Sequence, residues 1–467
     1  MNFKHLCYKK IGENKGRPRI WFQGKRLESC RMHPGSRIQV DYSENEIRVY
    51  LSESGSRVVS SKKEQPIIDL SNSRIGEIFK GVDRVRAVFK DGEIIITIHP
   101  DDMAKKERFA RLLDKLQNDR PLNVGSVSHG GGILDHALHQ GLSDQGVRSR
   151  LSFALEIDEN YLETSLQNNP IWDDNSIAIE APMQEVETDL LPKTEILVAG
   201  IPCTGASLAG RSKNKLKCAE EHDSAGALFL SFLNIIKAVN PALVVMENVV
   251  PYSNTASMTV IRSVLSGWGY KVEETVLGGN DFGALEDRQR MCMVAVTEGL
   301  SFDMSMLQPV REKEPNLAAV MEDVPDDDPS WREFSYLREK EMRDIANGKG
   351  FKMQLVDGNA PKVGTIGRSY AKCRQTEPFI VHTIYKKLLR LLTVAEHAAV
   401  KTVPVGLVKG CSVTRAHELL GQGVVHAAFV ALGRTMADQF NNLLLQPIND
   451  VVEQTADIEN DQFVMSF

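Results

Sequence analysis

Short apolar segments alternate with helical segments from residue 122 onward, and this alternation constrains the fold more than any other feature. The apolar segments that we predict as strands are residues 122–127, 151–157, 177–179, 196–198 and 243–246. Helical spacing of apolar residues occurs between several of them, at residues 133–142 and 225–239. The pattern predicts a doubly wound α/β sheet, which binds its ligands at the carboxyl ends of the strands.

The first hundred residues have a different pattern, with β-branched or alternating runs and turn signals. They predict strands at 19–22, 36–42, 46–51, 85–90 and 93–99, with a hairpin turn at Asp91-Gly92. Asp101 or Asp102 is predicted to cap a helix that reaches about Leu116. Residues 18–40 resemble the swapped-hairpin DNA-binding modules of AbrB-type transition-state regulators and SymE-like proteins. We therefore expect a small β-rich module with a connector helix.

Charge is distributed unevenly along the 467 residues. The net charge is −6, but residues 1–65 carry +7 and the rest −13. A basic segment attracts phosphate backbones, although solvated basic surfaces are also common. Seven cysteines without CxxC spacing argue against a disulfide framework and a structural zinc site. Without a signal peptide or a long apolar run, we expect a soluble, cytoplasmic protein with no membrane partner.

A glycine run and a carboxylate mark the first two strands of the predicted sheet. Gly130, Gly131 and Gly132 follow a strand and open a helix, which suits the close approach of a cofactor but also a simple tight turn. Glu156 ends the second strand, where ribose hydroxyls are usually held. Asp158 is predicted to cap the following helix.

Three further motifs follow strands and carry reactive or charged groups. Cys203 follows a proline beyond the strand at 196–198, and Glu247 ends the strand at 243–246. Each has an ordinary alternative, an inert buried thiol or a structural carboxylate. Arg288 and Arg290 are two residues apart before another apolar strand and are predicted to face one side, although paired surface arginines are often only solvated.

The order of these motifs resembles the cytosine-5 DNA methyltransferase family over about two thirds of the chain, from Leu122 on. Two late segments, 390–404 and 419–425, continue the match. The resemblance implies a Rossmann-like S-adenosylmethionine-dependent methyltransferase domain with a small recognition domain, besides the N-terminal β-rich module. The expected divisions are 1–117 for the module and connector, 118–300 for the catalytic domain, 301–387 for target recognition and 388–467 for the return and acidic tail.

The resemblance also implies catalytic roles. Cys203 would attack carbon 6 of a flipped cytosine, Glu247 would hold nitrogen 3, and Arg290 would contact the base carbonyl. Arg288 would support the closed site. The implied activity is transfer of a methyl group from S-adenosylmethionine to carbon 5.

Cofactor residues are carried over from the same motifs. The implied set is Gly130, Gly131, Gly132, Glu156, Ile157, Glu180, Pro202, Gln422 and Val424. A late structural motif is matched by Arg390, Thr393, Glu396 and Pro404, and the last motif by residues 421–424. The last segment is expected to complete the cofactor pocket.

The chain departs from the family's common residues at several positions. Val127 stands where phenylalanine is frequent, His129 where glycine is, and Ile201 where proline is. Thr204 and Glu286 each stand where glutamine is frequent, and Gln422 where asparagine is. None removes the nucleophile, but we expect weaker cofactor binding or a narrower substrate.

Double-stranded DNA is the predicted substrate and partner. The candidate contacts are Arg211, Lys213, Arg368, Lys372 and Arg374, the last three also open to a structural role in a strand pair. A cognate restriction endonuclease is a further predicted partner. Two alternatives remain: the same chemistry on a tRNA, and a catalytically silent DNA-binding regulator.

Overall fold

The computed structural model describes residues 3–202, 228–350 and 352–445. Its contacts divide the chain into two units, one up to Glu107 and one from Arg108 onward. The division falls within a helix, α3 (Pro100–Gln117). In the described ranges, every helix is too short or too polar to cross a lipid bilayer.

The first unit consists of two antiparallel sheets around one apolar core. One sheet has the strand order β1-β9-β10-β5-β4-β6 and the other β2-β3-β8-β7. The core includes Phe22, Val49, Phe89 and Ile96. The strands are β1 (His5–Lys10), β2 (Gly12–Asn14), β3 (Arg17–Gln23), β4 (Arg37–Tyr42), β5 (Glu46–Leu51), β6 (Arg57–Val58), β7 (Ser60–Lys62), β8 (Gln65–Ser71), β9 (Arg84–Lys90) and β10 (Glu93–Ile98), and the helices α1 (Lys25–Glu28) and α2 (Ser73–Ile78).

The connector helix begins earlier than its sequence predicts. Because α3 starts at Pro100, Asp101 and Asp102 lie in its first turn and neither caps it. Proline fits the first helical position, where a missing N–H costs nothing. Further along α3, Arg108 is buried and donates to Thr297 Oγ1 at 2.6 Å and to the Trp268 carbonyl at 2.7 Å. These bonds fix the second half of α3 within the second unit.

A seven-stranded sheet forms the centre of the second unit. Its order is β13-β12-β11-β14-β15-β18-β16, and β18 alone runs antiparallel to the others. Its strands are β11 (Leu122–Val127), β12 (Ser149–Glu156), β13 (Ile177–Glu180), β14 (Ile196–Gly200), β15 (Leu243–Asn248), β16 (Tyr270–Gly278) and β18 (Gln289–Thr297), while the short β17 (Glu286–Asp287) lies outside this sheet. The winding direction reverses between β11 and β14, which opens a crevice at their carboxyl ends.

Helices cover both faces of this sheet, as the alternating pattern predicts. One apolar cluster includes Leu138 and Phe429, and the other includes Phe232 and Ile261. The helices that follow α3 in the second unit are α4 (Ile133–Asp144), α5 (Glu159–Asn168), α6 (Leu228–Val239), α7 (Ala256–Gly267), α8 (Ser335–Ala346), α9 (Val394–Val400), α10 (Val413–Gln422) and α11 (His426–Leu445), of which α8 packs in the predicted recognition region. The α/β fold class is therefore confirmed.

The predicted recognition region contains short strands and a small core of its own. Phe334, Leu337, Phe379 and Leu389 pack together in it. Its strands are β19 (Arg332–Glu333), β20 (Gln354–Val356), β21 (Val363–Gly364), β22 (Pro378–Val381) and β23 (Leu388–Arg390). The predicted strand pair around 368–374 is wrong, because Tyr370–Lys372 forms a 3₁₀ turn between β21 and β22.

Candidate active site

The loop between β11 and α4 has a backbone that depends on glycine. Gly130 and Gly132 have φ angles of 58° and 70°, in the left-handed region. A Cβ at Gly132 would lie 2.5 Å from Asn169 Nδ2, whereas one at Gly130 would meet no atom within 4 Å. The loop is therefore packed on its inner side and open at Gly130, where a ligand can approach the backbone.

Glu156 fastens this loop to the end of β12. Its Oε2 accepts from the Gly130 amide at 2.6 Å, and its Oε1 accepts from the amides of Ile157 and Asp158 at 2.9 and 3.0 Å. A carboxylate has about four acceptor positions, so one remains for a ligand hydroxyl. The side chain of Asp158 also caps α5, as predicted, by accepting from Asn160 and Tyr161 amides.

His129 replaces the frequent glycine of this loop, and its imidazole is buried rather than turned toward the ligand side. Its Nε2 lies 2.8 Å from Ser165 Oγ, and its Nδ1 lies 3.1 Å from Asp135 Oδ2 and 2.9 Å from Ser126 Oγ. Trp172 Nε1 donates to the same Ser165 hydroxyl at 3.0 Å. We assign the Nδ1–H tautomer, since the Asp135 carboxylate only accepts. The network locks the loop that the glycines shape.

Beside this loop, the ends of β12 and β13 present groups that suit an adenosine moiety. Ile157 is 66% exposed, an unusual state for an apolar side chain at a strand end. Glu180 is exposed and lies beside Glu156 in the parallel register. An apolar surface next to two carboxylates fits a purine and its ribose. Val127, by contrast, is fully buried in the sheet core.

The carboxyl ends of β14 and β15 lie side by side, with Gly200 beside Glu247. Asn248 Nδ2 donates to the Ile201 carbonyl at 3.1 Å, and Asn248 Oδ1 accepts from the Val249 amide at 2.8 Å. Asn248 therefore fixes the backbone immediately before the exposed Pro202. Sequence reasoning missed this role, although Asn248 stands inside the motif that identified Glu247.

Glu247 and Arg290 form an ion pair at this edge. Arg290 Nε lies 3.0 Å from Glu247 Oε1, and both side chains are mostly buried. Cys292 lies opposite Glu247 in the β15–β18 register. Burial, together with the Glu247 charge, raises the pKa of the Cys292 thiol far above its ordinary value, so this cysteine is inert.

Arg288 and Arg290 bind different partners, and the expectation that both face one side stays a prediction. Arg288 lies immediately before β18 and donates to the carbonyls of Ile366 at 3.2 Å and Gln422 at 3.3 Å. It therefore joins the recognition region to the last motif. Arg290 instead belongs to the edge that carries Glu247.

Beneath Arg288 lies a buried ion pair that the sequence did not predict. Lys401 Nζ donates to Glu286 Oε2 at 2.6 Å, and the Ile366 amide donates to Glu286 Oε1 at 2.7 Å. Burial and the neighbouring Arg288 charge lower the pKa of Lys401 to about 7. Burial alone would raise the pKa of Glu286, but the charges of Lys401 and Arg288 outweigh it and lower this pKa. Glu286 is thus a structural anchor.

The late motif is structural in the way the sequence indicates. Arg390 and Glu396 form a buried two-point ion pair at 2.6 and 2.7 Å, and Thr393 with Glu396 forms a capping box on α9. Pro404 precedes a 3₁₀ turn. In the last motif the Gln422 carbonyl accepts from Arg288, while the Val424 side chain is buried in the core, away from an open pocket.

The candidate DNA contacts divide into two groups. Arg211 and Lys213 lie outside the described residues, as do the predicted nucleophile Cys203 and its neighbour Thr204. The described ones follow β21, where the Arg368 guanidinium lies 5.6 Å from the Tyr161 ring. Lys372 ends the 3₁₀ turn, and the nearby Arg374 charge partly offsets the burial that raises the pKa of Glu377 to about 7. These basic residues therefore also have structural neighbours.

The doubly wound sheet, with its glycine loop and acidic strand ends, defines the Rossmann-like class of S-adenosylmethionine-dependent methyltransferases. Two solved structures share this fold. Dnmt2 methyltransferase of S. pombe matches with a TM-score of 0.53 and 16% identity, over 69% of this chain and 99% of that one. EhMeth of Entamoeba histolytica matches with a TM-score of 0.52 and 15% identity, over 70% of this chain and 100% of that one.

The family model described as C-5 cytosine-specific DNA methylase matches residues 125–438, and the chain belongs to this family. Type II methyltransferase M.MspI of Moraxella sp is 27% identical over 57% of this chain and 60% of its own length. Type II methyltransferase M.NlaX of Neisseria lactamica is 28% identical over 48% of this chain and 69% of its own length. The chain thus spans about three fifths of the first relative. No comparison supports the resemblance of residues 18–40 to swapped-hairpin modules.

Proposed function

We propose that the chain is a DNA (cytosine-5)-methyltransferase that acts on a flipped cytosine through Cys203. The observation that carries this proposal is the Glu247–Arg290 pair at 3.0 Å, one strand away from Gly200, which precedes the Pro202-Cys203 dipeptide in the sequence. Type II DNA cytosine methyltransferases among its relatives support the substrate class. Cys292 lies directly opposite Glu247 in register but is too deeply buried to react.

The methyl donor fits the other half of the same sheet edge. Glu156 and Glu180 would hold ribose and adenine polar groups, Ile157 would cover the purine, and Gly130 would let the backbone approach. When bound, S-adenosylmethionine supplies an electrophilic methyl group on a sulfonium. Since the glycine loop and the Gly200 end belong to adjacent strands, donor and base would meet in the crevice between β11 and β14.

In the proposed reaction, the Cys203 thiolate forms a bond to cytosine carbon 6, and the electron pair of the 5,6 double bond moves toward carbon 5. Glu247 would hold nitrogen 3 and the exocyclic amine, and Arg290 would donate to the base carbonyl. Carbon 5 then takes the methyl group. Removal of its proton by a base restores the double bond and releases Cys203 as thiolate.

Asn248 has a positioning role in this scheme. Its bond to the Ile201 carbonyl fixes the backbone two residues before Cys203. Arg288 would act in the same way between the recognition region and the last motif, through Ile366 and Gln422. Neither needs to touch the base.

The decisive experiment compares wild-type protein with Cys203→Ala and Cys203→Ser on a methyl-transfer assay with labelled donor. We expect both variants to lose transfer while still binding duplex DNA. Cys292→Ala is the matched control and should keep transfer. Undiminished transfer by Cys203→Ala would refute the covalent route, and transfer to tRNA but not to DNA would refute the substrate.

The target sequence is then read by bisulfite mapping of DNA from cells that express the chain. A cognate restriction endonuclease is a further proposed partner. Its support is that M.MspI and M.NlaX are named as type II methyltransferases. It is tested by assaying extracts of the source organism for a nuclease that the mapped methylation blocks.

A further inference from the structure

We propose that one corner of the six-stranded sheet in the first unit binds the phosphate backbone of duplex DNA. This basic corner consists of Tyr8, Lys10, Arg84 and Arg86. Residues 1–107 carry a net charge of +6, although the whole chain carries −6. The excess of positive charge is therefore confined to this part of the chain, and the corner brings three of its cations together.

The register of β1 and β9 places these side chains on one face. Lys10 lies directly opposite Arg84, and Tyr8 lies directly opposite Arg86. The intervening residue of β9, Val85, is fully buried in the core, so the four side chains point to the other face of the sheet. Directly opposed side chains in an antiparallel pair are about 5 Å apart at Cβ.

Two positive charges in direct opposition destabilise a sheet. Within the described residues, neither Lys10, Arg84 nor Arg86 has a carboxylate within ion-pair distance. The acidic groups further across this face, Glu46 and Glu93, are instead paired with Arg48. An uncompensated pair of like charges is the arrangement that an external anion relieves.

The corner also contains groups that suit a phosphodiester. Tyr8 is 50% exposed and its ring lies 4.7 Å from that of His99, so its hydroxyl is held at the surface as a hydrogen-bond donor. Arg84 is exposed and Arg86 half-buried, and both carry guanidinium forks that match phosphate oxygens. We identify the partner as duplex DNA because the proposed function brings that polyanion to the protein. The choice of DNA rests on the proposed function, whereas the binding of a phosphate backbone at this corner does not.

The test uses the full chain and the triple variant Lys10→Thr/Arg84→Thr/Arg86→Thr. Threonine keeps the strand propensity. Binding of a labelled duplex without methyl donor is followed by fluorescence anisotropy at several salt concentrations. We expect the affinity at low salt to fall by at least about tenfold. The magnitude of the slope of log affinity against log salt should decrease by about 2 to 3, because each lost phosphate contact removes about 0.9 from it.

The matched control removes three exposed positive charges elsewhere in the same unit, with Lys25→Gln/Lys62→Thr/Lys63→Asn. Its salt slope should stay close to that of the wild type. Equal losses in both variants would show a diffuse charge effect and overturn the proposal, as would an unchanged slope in the corner variant. Tighter binding of an RNA duplex through the same corner would overturn the choice of DNA.

Two further readouts separate this proposal from the proposed function. The corner variant should unfold at the same or a higher denaturant concentration, because like-charge repulsion is removed, and its kcat at saturating DNA should be unchanged. Loss of folding stability would overturn the proposal. Failure of Cys203→Ala to abolish transfer would refute the proposed chemistry and leave the binding result intact.

Discussion

Restoring the family's frequent glycine at position 129 should destabilise this protein. The His129 side chain is buried and links Ser126, Ser165 and Asp135. In His129→Gly these contacts vanish, and a loop that already contains Gly130–Gly132 gains another flexible residue. The substitution therefore tests whether the histidine is a tolerated departure or a required part of the loop.

The magnitude follows from the contacts. Two hydrogen bonds contribute about 1 kcal/mol each, and a buried carboxylate left without its partner costs about 1 to 3 kcal/mol. The buried Asp135 carboxylate would be affected most, because its Oδ1 already has no hydrogen-bond partner among the described residues. Extra backbone freedom adds roughly 0.5 to 1 kcal/mol. We expect His129→Gly to lower the free energy of unfolding by about 3.5 to 6 kcal/mol.

Urea unfolding followed by circular dichroism measures this loss, and calorimetry with S-adenosylmethionine measures its effect on donor binding. His33→Gly is the control, since His33 is exposed and its replacement carries only the backbone term, about 1 kcal/mol or less. His129→Asn should retain part of the stability. If His129→Gly were as stable as the wild type, the buried network would have no energetic weight and the reasoning would be wrong.

Three further outcomes are expected. Asn248→Ala should lower kcat for methyl transfer by about tenfold and the free energy of unfolding by about 2 kcal/mol, because its two side-chain hydrogen bonds, to the Ile201 carbonyl and from the Val249 amide, are lost beside the reactive segment; kinetics with both KM and kcat check this. Arg390→Met should cost about 3 to 5 kcal/mol in urea unfolding, because it leaves the Glu396 carboxylate buried and unpaired. Since the folded pKa of Lys401 is about 7 and its ordinary value is 10.5, the unfolded chain holds the extra proton between these values. Stability relative to Lys401→Met should therefore rise with pH from 7 to 10, and a flat or falling difference in pH-dependent unfolding would contradict the sign.

The strand ends could be predicted because the signals are local. Five apolar runs between residues 122 and 246 became β11 to β15, and parallel strands place their carboxyl ends along one edge. Gly130, Glu156 and Glu247 therefore lie at that edge, as expected. The recognition region was harder, because its strands are only two to four residues long and their pairing depends on distant partners. The turn at Tyr370–Lys372 has no periodic signal at all.

The partners of buried charges could not be predicted, since they are set by tertiary packing. Glu286 and Lys401 are 115 residues apart and meet at 2.6 Å. Nothing near either residue in the sequence indicates this contact. The departure from the family's glutamine at position 286 is nevertheless explained, because a carboxylate there balances a lysine that is fully buried.

The separation of Arg288 from Arg290 has a consequence for how target recognition reaches the reacting base. Alternation along a strand places side chains two residues apart on one side, and the Gly279 amide donates to the Arg288 carbonyl at 2.9 Å just before β18 begins at Gln289. Arg290 pairs with Glu247, while Arg288 binds carbonyls of the recognition region and the last motif. Since one residue separates them, a shift of the recognition region that pulls on Arg288 is transmitted through a single peptide unit to the start of the strand that carries Arg290. Under the proposed function, the covalent backbone between Arg288 and Arg290 would link contact with the target sequence to the alignment of Glu247.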